Sequence, residues 1–293
     1  MKTSGKTLIS VLSWEDRFIR GLMVDLSTTS YKNFFLLSHE GRDKLKEKNY
    51  REVKKIINEK KINFEFIKMP NDRAKRWKLL EEKFFDEDIT SKNVTLDITT
   101  MRRETIWTLL SFFNSKKKNI AYTYYQPDYY NEFWLSREPD IPQLLFKHSG
   151  ITKFSKKSAL LIITGFDTER TRQLVNHYEP EVVLLGVQRG KQFDNNARNN
   201  FKLHKDVCKG QTTVKTFYLD AYSEDHGFKS INSALNKIKR YNVIATSQGP
   251  KLSAISLYKS FLQNTEIAMC YVPAKQYNKD YSKGIGNVFK GKF

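Results

Sequence analysis

Four short clusters in this chain combine rings, acids, hydroxyls and bases at spacings that suit an anionic ligand. Thr99-Thr100-Met101-Arg102 and Ser247-Gln248-Gly249-Pro250-Lys251 each place small polar residues before a base. If each lies where a strand turns into a helix, backbone N–H groups and side-chain dipoles donate to a phosphate, and Arg102 or Lys251 supplies charge. Trp14-Glu15-Asp16-Arg17 and Phe166-Asp167-Thr168-Glu169-Arg170 each set a ring, acids and an arginine on one turn. There Trp14 or Phe166 can stack on a base while Arg17 or Arg170 meets a phosphate. The same acids equally suit capping of free N–H groups at a helix start.

The elements that must position these clusters follow from hydrophobic periodicity, which alternates short apolar runs with amphipathic stretches. In the first half the pattern predicts strands at 8–12, 34–38, 64–69, 94–98 and 120–125, with helices at 17–26, 41–60, 72–85 and 101–113. In the second half it predicts strands at 160–164, 182–187, 214–219, 243–246 and 266–272, with helices at 167–177, 195–208, 228–240 and 252–262. Residues 129–157, with Pro139, Pro142 and Gly150, read as a connection. Alternation of this kind implies an α/β fold of mainly parallel sheets, in which ligands bind at the carboxyl ends of the strands. All four clusters fall at such ends.

The two halves also echo one another. Asn93-Val94 through Ile106 returns 149 positions later as Asn242-Val243 through Ile255, and Ser111-Phe112 is matched by Ser260-Phe261. The expectation is an internal duplication, giving two tandem Rossmann-like units: 1–133, a connecting segment 134–157, and 158–293 with a basic aromatic tail. The ligand then sits in a cleft between the halves.

The formal net charge of +19 favours polyanionic partners. It is uneven, with 23 Lys/Arg against 11 Asp/Glu in residues 151–293. In the tail, Lys275, Lys279, Lys283 and Lys290 alternate with Tyr277, Tyr281 and Phe289, a pattern that suits single-stranded nucleic acid or a tail packing its rings on the domain. Catalysis has weaker footing. Asp97, Asp16 and Asp167 are the candidate acids for metal-dependent cleavage of a phosphodiester. The five histidines show no zinc spacing, and neither a P-loop nor a dinucleotide-binding glycine motif opens a helix, so no metal, NAD or P-loop cofactor is assigned. Two cysteines without paired spacing point to a reducing, cytoplasmic compartment. No apolar run is long enough for a membrane span, and Met1–Lys6 leads toward a strand instead of a signal segment.

The Thr99–Arg102 and Ser247–Lys251 segments resemble the ligand loop of the CARF (CRISPR-associated Rossmann fold) sensors, in which a Thr-Gly-Gly-Thr-Lys-like turn cradles a cyclic oligoadenylate across a dimer. Gly249 and Lys251 match that loop's small residue and its lysine, Thr99 and Arg102 match more loosely, and the first half lacks the glycines. The chain is also similar to bacterial proteins of no assigned activity, linked to antiphage defence, that share its Ser-Trp-Glu-Asp-Arg, Leu-Asp-Ile-Thr-Thr-Met and Gly-Phe-Asp-x-Glu-Arg segments. The resemblance implies one chain supplying both faces of a nucleotide site, with its signal passed to a separate effector protein or its ligand consumed in place. Three readings stand: a nucleotide-type sensor or recognition component of antiphage defence, a DNA- or RNA-binding subunit, and a metal-dependent phosphodiesterase.

Overall fold

The computed structural model describes residues 6–41, 43–84, 92–194, 196–208 and 213–293. The leading residues 1–5 and the end of the expected 72–85 helix lie outside them. In chain order the first elements are β1 (Lys6–Val11), α1 (Asp16–Thr28), β2 (Tyr31–His39), α2 (Asp43–Lys60), β3 (Asn63–Met69), α3 (Arg73–Lys83), β4 (Asn93–Asp97), α4 (Arg103–Ser115) and β5 (Asn119–Tyr125). The connection carries three short strands, β6 (Tyr129–Tyr130), β7 (Ser136–Pro139) and β8 (Gln143–Leu144). There follow β9 (Ser158–Ile163), α5 (Thr168–Tyr178), β10 (Val182–Gln188), α6 (Lys191–Asp194), α7 (Phe201–Asp206), β11 (Thr213–Leu219), α8 (Phe228–Lys237), β12 (Asn242–Ser247), α9 (Lys251–Gln263) and β13 (Ala268–Tyr271). The chain ends with β14 (Ala274–Tyr277), β15 (Ser282–Lys283) and β16 (Val288–Lys292).

Contacts divide the chain into two compact units, Met1–Phe133 with Lys279–Phe293, and Trp134–Asn278. Each contains a six-stranded, mostly parallel sheet, in the orders β3-β2-β1-β4-β5-β16 and β11-β10-β9-β12-β13-β8. Counting parallel strands within each unit, both orders run 3-2-1-4-5, the doubly wound arrangement of a Rossmann-like fold. The sequence echo lies on equivalent elements, β4 with α4 in one unit and β12 with α9 in the other.

In the first unit, α1 sets Phe18, Leu22 and Leu26 at helical spacing against Leu8 of β1, Phe34 and Leu36 of β2, and Val53 and Ile57 of α2. In the second, Leu160 and Ile162 of β9 and Val183 and Leu185 of β10 pack under Leu174 and Val175 of α5. Strands covered on both faces read as continuous apolar runs, which is why these two were legible in sequence. Burial of each large side chain contributes roughly 1.5–3 kcal/mol. No helix among the described residues is long and apolar enough to cross a membrane.

Two expectations are corrected. Of the expected 195–208 helix, the described residues are α-helical only over α7 (Phe201–Asp206), and the short α6 precedes that span; Asn199, just ahead of α7, donates its amide to Gln188 O and Phe193 O, trading helical bonds for a tie to the end of β10. The tail assigned to the second unit instead returns to the first, where β16 pairs antiparallel with β5 from Val288↔Tyr125 to Lys292↔Ala121. Lys275 alone of the four tail lysines remains with the second unit. The sheet thus closes on β16, not on 120–125, and the edge that β5 would expose is covered. Gly291 allows the approach, since a Cβ there would lie 2.3 Å from Tyr122 Oη.

Candidate functional site

In a 3-2-1-4-5 sheet the strand order reverses between strands 1 and 4, and the loops leaving their carboxyl ends diverge. The first unit has this switch point between β1 and β4, the second between β9 and β12. All four sequence clusters occupy these ends: 14–17 and 99–102 in the first unit, 166–170 and 247–251 in the second.

In the first unit much of the cluster is committed to the fold. Arg17 is fully enclosed, donating from Nε to Glu15 Oε2 at 2.8 Å and from Nη1 to Tyr125 O at 3.3 Å. Burial pulls its guanidinium down, but Glu15, with Tyr130 and Tyr124 nearby, holds it well above its ordinary value. Glu15 also accepts from Ser282 Oγ of β15. Arg17 therefore holds the turn and is not presented to a phosphate. Trp14 is half-buried and donates from Nε1 to Lys279 O at 3.1 Å. Thr99 accepts from Tyr125 N at 3.1 Å, and Thr100 donates to Val11 O at 3.1 Å. These hydroxyls fasten the loop to the neighbouring strands β5 and β1.

Asp97 is likewise internal. One carboxylate oxygen accepts from Ser10 Oγ at 2.7 Å, the other from Thr99 N at 3.0 Å. Burial, then the charge of Asp25, raises it to about 6, with the Ser10 and Thr99 bonds pulling the other way. Asp16 opens α1 and pairs with Arg20 at 3.4 Å, and Asp167 caps α5 by accepting from Arg170 N. Among the described residues no three acidic, histidine or cysteine side chains are grouped to hold a metal ion.

Beside this cluster the first unit gathers basic groups, of which Arg102 and Arg73 are half-buried and Arg76, Lys46 and His39 are buried. Arg102 precedes α4 and is half-buried; its carbonyl accepts from Ile106 N at 3.0 Å, while its guanidinium forms no hydrogen bond or ion pair with a described residue. Sequence reasoning missed its neighbours. Arg73 and Arg76, at the start of α3, share Glu104 at 3.3 and 3.2 Å. Lys46 donates to His39 O at 2.6 Å, and His39 Nε2 meets Thr105 Oγ1 at 2.8 Å. Burial first, then Arg102, Arg76 and Lys46, holds the His39 imidazole well below its ordinary value, so it stays neutral at neutral pH. These positions are separated by 26 to 63 residues in the chain, and only the sheet brings them together.

In the second unit Arg170 is again buried, paired with Asp167 at 3.2 Å and donating to Ser136 Oγ at 3.0 Å. The Phe166 ring faces the guanidinium of Arg198 at 4.9 Å, and Phe193 and Tyr222 stack at 5.8 Å with a 10° interplanar angle. Ser247 is buried, and its Oγ makes no hydrogen bond among the described residues. Gln248, also buried, has its backbone N–H on Ile163 O at 2.8 Å. Lys251 opens α9 and is half-buried. A Cβ at Gly249 would lie 2.8 Å from Thr164 O and from Gln188 Nε2, so its smallness serves the close packing of the two switch-point loops.

The sequence matches no family model and no curated protein. Its fold is similar to that of a Type III CRISPR defence DNA nuclease activated by cyclic oligoadenylate, with a TM-score of 0.55 and 8% identity over 87% of this chain. The chain spans 64% of that structure's length, less than two thirds. The cytoplasmic domain of a prokaryotic cation chloride cotransporter aligns at a TM-score of 0.30 (9% identity; 93% of this chain, 97% of that one). CobK precorrin-6A reductase aligns at 0.24 (8% identity; 90% and 86%). The first likeness is one of fold, and the other two carry no argument.

Proposed function

We propose that this chain is a sensor of a nucleotide-type anionic ligand in bacterial antiphage defence, acting in the cytoplasm through a separate effector protein. The ligand docks at the carboxyl ends of the strands. The observation that carries this reading is Arg102, a cation without a partner among the described residues, at the switch point of a doubly wound sheet and at the start of a 13-residue helix. Free N–H groups and the helix dipole favour an anion at that place. Glu104 is the acid that Arg73 and Arg76 share, so the surroundings of Arg102 stay positive. Trp14 supplies a half-buried ring on the neighbouring loop, and Lys251 with Phe166 supplies the matching charge and ring in the second unit.

Thr99, Thr100, Ser247 and Gln248 then shape the loops, while Arg17 and Arg170 brace the turns from inside. The shared 3-2-1-4-5 order and the echo on its fourth strand and following helix support an origin by internal duplication. The fold likeness to a nuclease activated by cyclic oligoadenylate supports that ligand class.

Cyclic tetra-adenylate is the probe to use. A ligand present at a hundredfold its dissociation constant stabilises the folded state by about 2.7 kcal/mol, visible as a rise in melting temperature. The rise is expected in the native chain and lost in Arg102→Glu, whose own stability stays within about 0.5 kcal/mol because the side chain has no described partner. No rise with any cyclic oligoadenylate, and no nucleotide detected by mass spectrometry in the purified native protein, would end this reading.

A further inference from the structure

The second unit has a cavity of about 260 Å³ at the end of its sheet opposite the switch point. Its walls come from the amino ends of β12 and β13, the turn before β9, and the last turns of α8 and α9. Asn232, Asn236 and Gln263 line it, and none of their side-chain amides makes a hydrogen bond with a described residue. Each offers both a donor and an acceptor.

The charge at this cavity is positive. Lys153, Lys156 and Lys239 line it against Glu266. Glu266 is taken by Lys153 at 2.8 Å, leaving Lys156 and Lys239 without an ion pair among the described residues. The carboxyl ends of α8 and α9 also face this region, each equivalent to roughly half a negative charge. The two lysines outweigh them by about one charge. Lys156 does reach Lys239 O at 3.4 Å, but one such bond uses one of its three donors.

Phe154 stands at the tip of the turn between these lysines, closed by Lys156 N donating to Lys153 O at 3.0 Å. Its relative exposure is 105%, so the largest apolar side chain of the turn touches almost nothing. Lys157, Lys237 and Arg240 extend the basic surface outside the cavity, with Lys157 paired to Glu181. A ring in water, a small amide-lined hollow and cations spread beyond it suit a polymer with flat bases and regularly spaced phosphates. The cavity is below the roughly 300 Å³ at which ordinary ligand pockets begin, and therefore fits one base with its sugar.

We propose that this end of the second unit binds single-stranded nucleic acid, with one base seated among Asn232, Asn236 and Gln263, a neighbouring base stacked on Phe154, and phosphates on Lys156 and Lys239. The site is separate from Arg102 and stands without the sensor reading.

Fluorescence anisotropy of the full chain with a labelled strand of about 12 nucleotides, as RNA and as DNA, tests it, the length matching the ~4–16 nucleotides typical of such sites. Phe154→Ala is expected to weaken binding roughly tenfold, the scale of one lost base stack. Lys156→Ala should flatten the salt slope by about 0.7, the value for one phosphate of a single strand. Asn236→Leu should weaken binding without changing that slope. Phe154 and Asn236 are exposed, so these variants fold. The proposal is overturned if the three variants bind as the parent does, if duplex of equal length binds as tightly, or if AMP alone binds there and the strand does not.

Discussion

Lys290 Nζ on the last strand lies 3.3 Å from Asp25 Oδ1 on the first helix, and that oxygen also accepts from Tyr125 Oη at 2.9 Å. Asp25 is 1% exposed, and burial raises its carboxyl above the usual range, with Tyr125 and Lys290 pulling it back. A carboxyl raised in the folded state costs stability as pH climbs through its folded value, and Lys290 reduces that cost. Lys290→Met should therefore destabilise the chain near neutral pH by about 1–2 kcal/mol, discounted because Lys290 is half-exposed. The loss should fade on acidification as Asp25 takes a proton. Urea unfolding at about pH 7 and pH 4 checks this, and an equal loss at both would rule it out.

The enclosed pair of Glu15 and Arg17 carries a larger expectation. With Arg17 fully buried, Glu15→Ala leaves an uncompensated cation inside the first unit, and such losses run to about 3–5 kcal/mol. It also frees Ser282, so β15 should loosen with it. Guanidinium unfolding gives the magnitude, and hydrogen exchange at residues 282–283 gives the location. A cost below about 1 kcal/mol would show that water reaches Arg17.

The parallel strands and their helices were legible because burial on both faces leaves apolar runs such as Leu160–Ile163 that survive without context. β16 was not. It is an edge strand whose residues are exposed or half-buried, with two lysines among its five residues, and its pairing with β5 spans more than 160 residues. The switch-point loops were found, since hydroxyls and bases after a strand mark a helix start. Which of their side chains face inward was not legible. Arg17, Arg170 and Thr99 look like ligand groups in sequence, while their partners Glu15, Asp167 and Tyr125 emerge only from packing. His39, Lys46, Arg73 and Arg76 had no local signal, because sheet order alone gathers them around Arg102.

Gly291 tests the return of the tail by sterics. A Cβ there would also sit 2.4 Å from Tyr122 Cζ, so Gly291→Val forces the ring or the strand to move. Overpacking of this kind costs about 1–3 kcal/mol. Tyr122→Ala loses its own packing but makes room, so the double variant should be more stable than the two single losses predict when added. A double-variant cycle that adds without coupling would mean β16 does not lie over Tyr122.

Asp97 separates the roles a carboxylate at a strand end can play. Its folded value of about 6 lies above the usual 3.8, so between those limits the folded chain holds a proton that the unfolded chain has released. The sign follows: stability falls as pH rises from about 4 to about 6, by up to roughly 3 kcal/mol from this group. Asp97→Asn removes that slope and keeps both bonds, its amide oxygen accepting from Thr99 N and its NH₂ donating to Ser10 Oγ. The difference in unfolding free energy between parent and variant should thus grow in the variant's favour across this window and level off above it. The response to cyclic tetra-adenylate should persist in the variant, because Asp97 is 1% exposed and faces Ser10 and Thr99. A metal-dependent phosphodiesterase centred on Asp97 predicts the reverse, turnover of the nucleotide in the parent and none in the variant.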